Sequence, residues 1–144
     1  MVHLRRRGTV IVDTSEGILV VSESGNRYSL PGGNARNGES RRKAAIRELK
    51  EETGLKTIDC VYLFDYYGKG THKDAKGGFF KTTHKVFLSK TEGVAKPKKE
   101  VQHICYFSGS NVNLHYSTQR IIEKYQKIKN FILQNAYKAR MKNT

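Results

Sequence analysis

One stretch constrains this chain more than any other: LPGGNARNGESRRKAAIRELKEETGL, from Leu30 to Leu55. Its pattern predicts a glycine-rich turn followed by a helix, because Ser40 is a favoured N-cap residue and Gly54 stands where a helix end needs a left-handed backbone. Four acids lie there, although the chain has only 13 Asp and Glu against 27 Lys and Arg. A segment that concentrates scarce acids on a helix is expected to form a site.

The acids of the predicted helix lie on one side of it. Each residue of an α-helix advances by about 100°, so Glu48, Glu51 and Glu52 project within one arc. Three neighbouring carboxylates raise one another's pKa values unless a cation sits among them. Carboxylate oxygens without a histidine or thiolate select hard cations, so the sequence predicts Mg²⁺, with Mn²⁺ as a substitute.

The residues around these acids have predicted roles of their own. The backbone at Gly32 carries no side-chain bulk, so its carbonyl can approach a ligand and join the metal site. Arg47 can form an ion pair with Glu39 or Glu48 and so fix the orientation of a carboxylate.

Length and charge limit the class of protein. With 144 residues, 37% of them apolar, the chain is predicted to form a single soluble domain over residues 1–144. No apolar run has the length of a signal peptide or a membrane span, which predicts a cytoplasmic protein without a membrane partner. A formal charge of +14 predicts anionic partners that carry phosphate. The sequence makes no prediction of an oligomeric state.

The order of elements predicts an α/β fold. The runs TVIVDT, GILVVSES and GNRYSL are predicted to be strands of a meander, and further β-branched and aromatic runs follow the acidic helix. From about Ser117, apolar residues recur with a helical period, which predicts a long closing helix. Strands, helix, strands and helix together indicate a mixed sheet between helices.

The spacing of the acidic segment resembles the signature box of the Nudix hydrolases, over Gly33 to Leu55. The resemblance implies an α/β/α sandwich and Mg²⁺-dependent hydrolysis of a nucleoside diphosphate linked to another moiety. It also implies that Glu48, Glu51 and Glu52 are metal ligands together with the Gly32 carbonyl. The remaining box positions become orienting or structural residues, namely Gly33, Glu39, Arg47 and Gly54.

The resemblance extends to a later glutamate. Glu100 opens EVQHICYF and matches, by spacing alone, a glutamate that serves many family members as ligand or base. The alternative is a solvated surface residue. For the general base, Glu52 is the first choice and Glu100 the second.

The substrate is predicted less closely. The basic surface favours a nucleoside triphosphate or a dinucleoside polyphosphate, and the alternatives are the 5′ end of RNA or ADP-ribose and other nucleotide sugars. A domain that binds a nucleotide or RNA without catalysis is the alternative from another class. The predicted substrate contacts are two arginines around the box and two aromatic residues beside a lysine-rich loop, namely Arg36, Arg41, Tyr66 and Phe80.

Overall fold

The computed structural model describes residues 2–142, and the chain divides into two compact units, Met1–Leu114 and His115–Thr144. Within the described residues, the first unit has two sheets and one helix, and the second is one long helix. The single domain over residues 1–144 stays a prediction. The elements in chain order are β1 (Val2–Ile11), β2 (Asp13–Thr14), β3 (Gly17–Ser22), β4 (Gly32–Asn34), α1 (Arg41–Thr53), β5 (Lys56–Tyr67), β6 (His72–Lys73), β7 (Phe79–Glu92), β8 (His103–Phe107) and α2 (Tyr116–Lys142).

The larger sheet has the order β4-β1-β7-β5, with β6 also paired to β7. Strands β1 and β7 run parallel over the whole of β1, whereas the other pairs in this sheet are antiparallel. The sheet is therefore mixed, and the predicted α/β fold class is confirmed.

The smaller sheet has the order β2-β3-β8. The predicted meander is confirmed only in part, because β2, which ends the TVIVDT run, pairs antiparallel with β3, whereas β1 lies in the larger sheet. Strand β1 begins earlier than the TVIV run and forms its ladder with β7, far along the chain. The third predicted strand, within residues 25–30, is reduced to isolated bridges at Tyr28 and Ser29.

Helix α1 packs on the larger sheet. Ala45 and Leu49 on its inner side are buried with Val10 of β1 and Phe87 of β7. The helix can approach β1 closely because Gly8 has no side chain: a Cβ there would lie 2.1 Å from the carbonyl oxygen of Arg41. The packing therefore fixes the position of the acids of α1 relative to β1.

Both predicted caps of α1 are confirmed. The Ser40 hydroxyl oxygen accepts a hydrogen bond from the Lys43 amide, at 3.1 Å. At the other end Gly54 has a φ of 77°, and its amide donates to the Lys50 carbonyl at 2.8 Å. Glycine adopts a left-handed backbone conformation at little energetic cost, which explains why the helix ends there.

The long helix predicted from about Ser117 is confirmed, since α2 spans Tyr116–Lys142. Neither helix within residues 2–142 combines the length and apolar character needed to cross a membrane.

Candidate active site

Three glutamates converge at a cavity beside β1 and β4. Glu48 and Glu52 come from α1, and Glu100 comes from the loop before β8. Each offers a carboxylate oxygen, and these oxygens lie within 4.8 Å of one another. All three line a cavity of about 310 Å³, together with Arg7, Gly32 and Gly33 among others. The structure thus brings Glu100 to two of the three acids predicted on α1.

Glu52 is the most buried of these acids, with 8% of its surface exposed. Its Oε1 accepts a hydrogen bond from the Gly32 amide at 2.9 Å. Burial raises the pKa of Glu52 to about 7, although the Gly32 hydrogen bond and the charge of Arg7 act in the opposite direction. Without a bound cation, this carboxyl group therefore keeps its proton up to nearly neutral pH.

The two glycines of the turn are required by close packing. Gly32 has a φ of 147°, and a Cβ on it would lie 2.2 Å from the Gly8 carbonyl oxygen. A Cβ on Gly33 would lie 2.5 Å from Cδ of Glu48. The turn is therefore held between β1 and the Glu48 side chain, which agrees with a structural role for Gly33. The Gly32 carbonyl as a metal ligand stays a prediction.

Arg47 forms ion pairs with Glu39, which precedes α1, and with Glu48 on the helix. Its guanidinium donates to both carboxylate oxygens of Glu39, each at 2.9 Å, and to Oε1 of Glu48 at 2.7 Å. Both ion pairs predicted for Arg47 are therefore present. The hydrogen bonds from Arg47, followed by one from the Arg36 amide, lower the pKa of Glu39 to about 2. Bidentate pairing of this kind fixes a carboxylate in orientation as well as in charge.

Glu51 lies among cations, apart from the three converging carboxylates. Its Oε2 is 3.0 Å from Nζ of Lys99 and 3.2 Å from Nη1 of Arg47, and its Oε1 is 3.9 Å from Nη2 of Arg36. The hydrogen bond from Lys99 is the largest cause of the lowered pKa of Glu51. Glu51 as a metal ligand therefore stays a prediction.

The loop that supplies Glu100 is tied to the end of α1. The amides of Lys96 and Lys98 donate to the carbonyls of Thr53 and Glu52, at 2.9 and 3.0 Å. Lys99 has a φ of 59°, the one positive value found outside glycine in the described residues. These contacts place Lys99 against Glu51 and Glu100 beside Glu52, in a way that no local sequence pattern specifies.

Sequence reasoning missed Arg7 as a site residue. Arg7 lines the cavity, and its Nη2 donates to the Leu30 carbonyl at 3.1 Å. Burial lowers the pKa of Arg7, while the charges of Glu52 and Glu48 oppose that shift. The sequence signal that could have found Arg7 is the alternation of side chains along a strand, which places Arg7 on the opposite face from its neighbour Arg6.

The four predicted substrate contacts are not among the residues that line the cavity. Arg36 is close to Glu51 and largely exposed, and Arg41 opens α1. The Tyr66 ring lies 5.8 Å from that of His84, and the Arg5 guanidinium lies over the Phe80 ring. Contacts between these four residues and a substrate stay predictions.

Comparison with known proteins identifies the family of this chain. The family model of the NUDIX domain matches residues 2–125. A nudix hydrolase family member from Chromobacterium violaceum is 35% identical, with a TM-score of 0.76 over 88% of this chain and 79% of that one.

Two more distant structures share the fold. The MutT NUDIX hydrolase from Burkholderia pseudomallei is 20% identical, with a TM-score of 0.68 over 84% of this chain and 97% of that one. The NUDIX domain of Shewanella oneidensis NrtR, complexed with ADP ribose, is 16% identical, with a TM-score of 0.65 over 88% of each chain. From the family match and the 35% identical structure, the chain belongs to the Nudix family and is a hydrolase that acts on pyrophosphate bonds.

Proposed function

We propose that the protein is a Mg²⁺-dependent pyrophosphohydrolase of a nucleoside diphosphate linked to another moiety, with a nucleoside triphosphate or dinucleoside polyphosphate as its substrate. One observation carries this proposal: carboxylate oxygens of Glu48, Glu52 and Glu100 converge within 4.8 Å. Arg7 lines the same cavity. Carboxylates that can bind a metal ion therefore lie beside a guanidinium group that can bind a phosphate.

The donor set fits magnesium. The converging groups are all carboxylates, which suit Mg²⁺ or its substitute Mn²⁺ better than softer metals. Glu48, Glu52 and Glu100 would hold the ion, with Glu51 and the Gly32 carbonyl as further predicted ligands. When bound, magnesium neutralises phosphate oxygens and makes the phosphorus more susceptible to attack.

The protein's own residues supply orientation and proton transfer. Glu52 accepts the proton of the attacking water, because the Gly32 amide holds its carboxylate in place beside the proposed metal site. The water oxygen bonds to phosphorus while the bond to the bridging oxygen breaks, and the departing phosphate takes the electron pair. Glu100 is the second candidate for this base. Arg47 keeps Glu48 charged and oriented.

The charge of the protein supports a highly charged substrate. A formal charge of +14 concentrates polyanions around the chain, which favours a triphosphate or polyphosphate over a nucleotide sugar. ADP-ribose is the second candidate, because the NrtR domain of the same fold was crystallised with it. The box carboxylates are all present, which disfavours a domain that only binds nucleotide or RNA. The proposal also retains the cytoplasmic location predicted from the sequence.

A substrate panel in water enriched in heavy oxygen tests the proposal. The panel contains nucleoside triphosphates, dinucleoside polyphosphates, ADP-ribose and RNA with a 5′-triphosphate, each assayed with Mg²⁺. We expect fastest cleavage of a triphosphate or dinucleoside polyphosphate, with heavy oxygen in one product that identifies the attacked phosphorus. Preferential cleavage of ADP-ribose would replace the proposed substrate by the second candidate, and binding without any cleavage would contradict catalysis.

A further inference from the structure

The larger sheet extends beyond the cavity into a strongly basic region. We name it the distal sheet end and define it by residues 2–6 and 66–81. This region combines the first half of β1 with the end of β5, with β6 and with the start of β7. It has one acid, Asp74, and six Lys or Arg residues, namely Arg5, Arg6, Lys69, Lys73, Lys76 and Lys81.

The single acid of the distal sheet end is engaged by its own loop. Oδ1 of Asp74 accepts hydrogen bonds from the amides of Lys76 and Gly78, at 2.9 and 2.8 Å. A carboxylate held in this way by backbone amides shapes the turn between β6 and β7. The region therefore presents a large excess of positive charge to solvent.

Strand register places one face of this region in line with the cavity. Directly paired residues share a face, and residues two apart along a strand do so as well. Arg7, Arg5 and His3 therefore follow one another on a single face of β1. On that same face Phe80 is paired with His3 on one side and with His72 on the other. Since Arg7 lines the cavity, this face continues outward from the candidate active site.

Arg5 and Phe80 form a stacked pair on this face. The guanidinium carbon of Arg5 lies 3.5 Å from the centre of the Phe80 ring. The His72 ring lies 5.5 Å from the same ring, and both Arg5 and His72 are exposed. Guanidinium groups and aromatic rings in such an arrangement are surfaces on which unpaired nucleobases stack.

The length of this face exceeds what one nucleotide needs. With a rise of about 3.3 Å per residue, Arg5 lies roughly 7 Å and His3 roughly 13 Å from Arg7 along β1. A ligand with a phosphate at Arg7 must therefore continue past its first nucleotide to reach His3 and His72. Repeated phosphates with unpaired bases match both the exposed loop lysines, Lys69 and Lys76, and the stacked pair.

We propose that the distal sheet end binds a single-stranded polynucleotide, which stacks a base on Arg5 and Phe80 and places its backbone beside the loop lysines of this region, Lys69 and Lys76. This site lies outside the three-carboxylate cavity. It goes beyond the proposed function and does not require hydrolysis.

The test measures binding with hydrolysis switched off. A fluorescent single strand of about a dozen nucleotides, a length that spans one such site, carries a 5′-hydroxyl and is titrated with protein in EDTA. Fluorescence anisotropy gives the dissociation constant. We expect Arg5→Ala and Phe80→Ala to weaken binding roughly five- to a hundredfold, as the loss of one stacked base does.

The chain offers matched controls at the neighbouring positions. Arg6 and Phe79 are next in sequence to the proposed contacts, but strand alternation places them on the opposite face. Arg6→Ala removes the same charge as Arg5→Ala, and Phe79→Ala removes the same ring as Phe80→Ala. We expect both controls to weaken binding much less than Arg5→Ala and Phe80→Ala do. Equal weakening by the controls would show general surface charge and overturn the proposal.

Salt dependence provides a readout for Arg5 that does not depend on packing against Phe80. The charged Arg5 guanidinium lies beside the bound strand, so we expect Arg5→Ala to lower the magnitude of the slope of log affinity against log salt by about 0.7. The same change in Arg6→Ala, or no change in Arg5→Ala, counts against the proposal. Thermal unfolding of each variant confirms that it is folded.

The choice of competitor distinguishes other occupants. We expect unlabelled RNA and DNA single strands to compete well, and duplexes of the same sequence and inorganic triphosphate to compete poorly. Full competition by inorganic triphosphate would show a simple phosphate site and overturn the proposal. Because the labelled strand lacks a 5′-phosphate and the assay lacks metal, a failure here leaves the proposed hydrolysis intact.

Discussion

The acidic segment holds its carboxylates in two opposite kinds of environment. Glu39 and Glu51 lie against Arg47 and Lys99, and these cations lower their pKa values. Glu52 is buried with an amide donor, and its pKa is raised to about 7. Glu39 and Glu51 are held by the protein's own cations, whereas Glu52 is held by an amide, and its carboxylate converges with those of Glu100 and of Glu48, itself paired with Arg47. The acidic segment therefore contains both a set of ion pairs and a group of converging carboxylates that can bind a cation.

The largest expected effect is on catalysis, at the buried carboxylate. Glu52→Gln keeps the shape of the side chain but removes both a ligand charge and the proposed base, so kcat with Mg²⁺ should fall by roughly 10²–10⁴-fold. Steady-state kinetics measures this loss. Glu92→Gln is the control, because Glu92 is exposed and paired only with Lys56 among the ion pairs described. Turnover near the wild-type value in Glu52→Gln would remove Glu52 from catalysis.

The same substitution should increase the stability of the metal-free protein. Because the pKa of Glu52 rises from 4.5 to about 7 on folding, the native state holds a proton that the unfolded chain has released. The free energy of unfolding therefore falls as pH rises from about 4.5 to about 7, by up to about 3 kcal/mol. Denaturant unfolding in EDTA should show Glu52→Gln equal to wild type near pH 4.5 and more stable at pH 8.

The paired carboxylate should show the opposite dependence on pH. The pKa of Glu39 is lowered from 4.5 to about 2, so its contribution to stability is present above pH 4.5 and is lost as pH falls towards 2. Glu39→Gln should remove this loss from the acid limb of the stability profile. If Glu39 and Glu52 changed the stability with the same sign of pH dependence, the distinction between the two environments would fail.

A smaller effect is expected at the centre of the ion-pair scaffold. Arg47→Ala leaves Glu39 and Glu48 without their donor, and its side chain is only 19% exposed, so the free energy of unfolding should fall by about 1–3 kcal/mol. Arg47→Lys keeps the charge but not the planar guanidinium that donates to both oxygens of Glu39, so it should recover only part of this loss. Urea denaturation measures both variants. Full recovery by lysine would show that geometry does not matter here.

The smallest effect is expected at Lys99. Lys99→Met removes the first cause of the lowered pKa of Glu51, so that pKa should rise towards its ordinary value. Both side chains are partly exposed, so the stability should change little. An NMR titration of the Glu51 carboxyl carbon checks the shift. An unchanged pKa would mean that Arg47 and Arg36 alone hold Glu51 charged.

Local chemistry made some of this predictable from the sequence. The caps at Ser40 and Gly54 and the ion pairs of Arg47 depend on residues close in the chain, and each was predicted correctly. The partners of β1 were not, because its parallel ladder with β7 joins residues more than 70 positions apart. Arg7 was missed for the same reason: only the fold brings β1 beside the end of α1.

The position of the loop around Lys99 and Glu100 depends on contacts that no sequence pattern indicates. Spacing alone suggested Glu100, and the structure places it beside Glu48 and Glu52. The backbone contacts of Lys96 and Lys98 and the left-handed conformation of Lys99 determine that position. The same conformation gives Glu51 a cationic partner, which helical geometry on its own could not indicate.

We propose that the metal is held chiefly by the three converging carboxylates of Glu48, Glu52 and Glu100. A crystal soaked in Mn²⁺ and measured for anomalous scattering tests it without reference to activity. We predict a strong peak among Glu48, Glu52 and Glu100, which is lost in Glu52→Gln. A peak on Glu51 alone, or none near these three residues, would contradict the account.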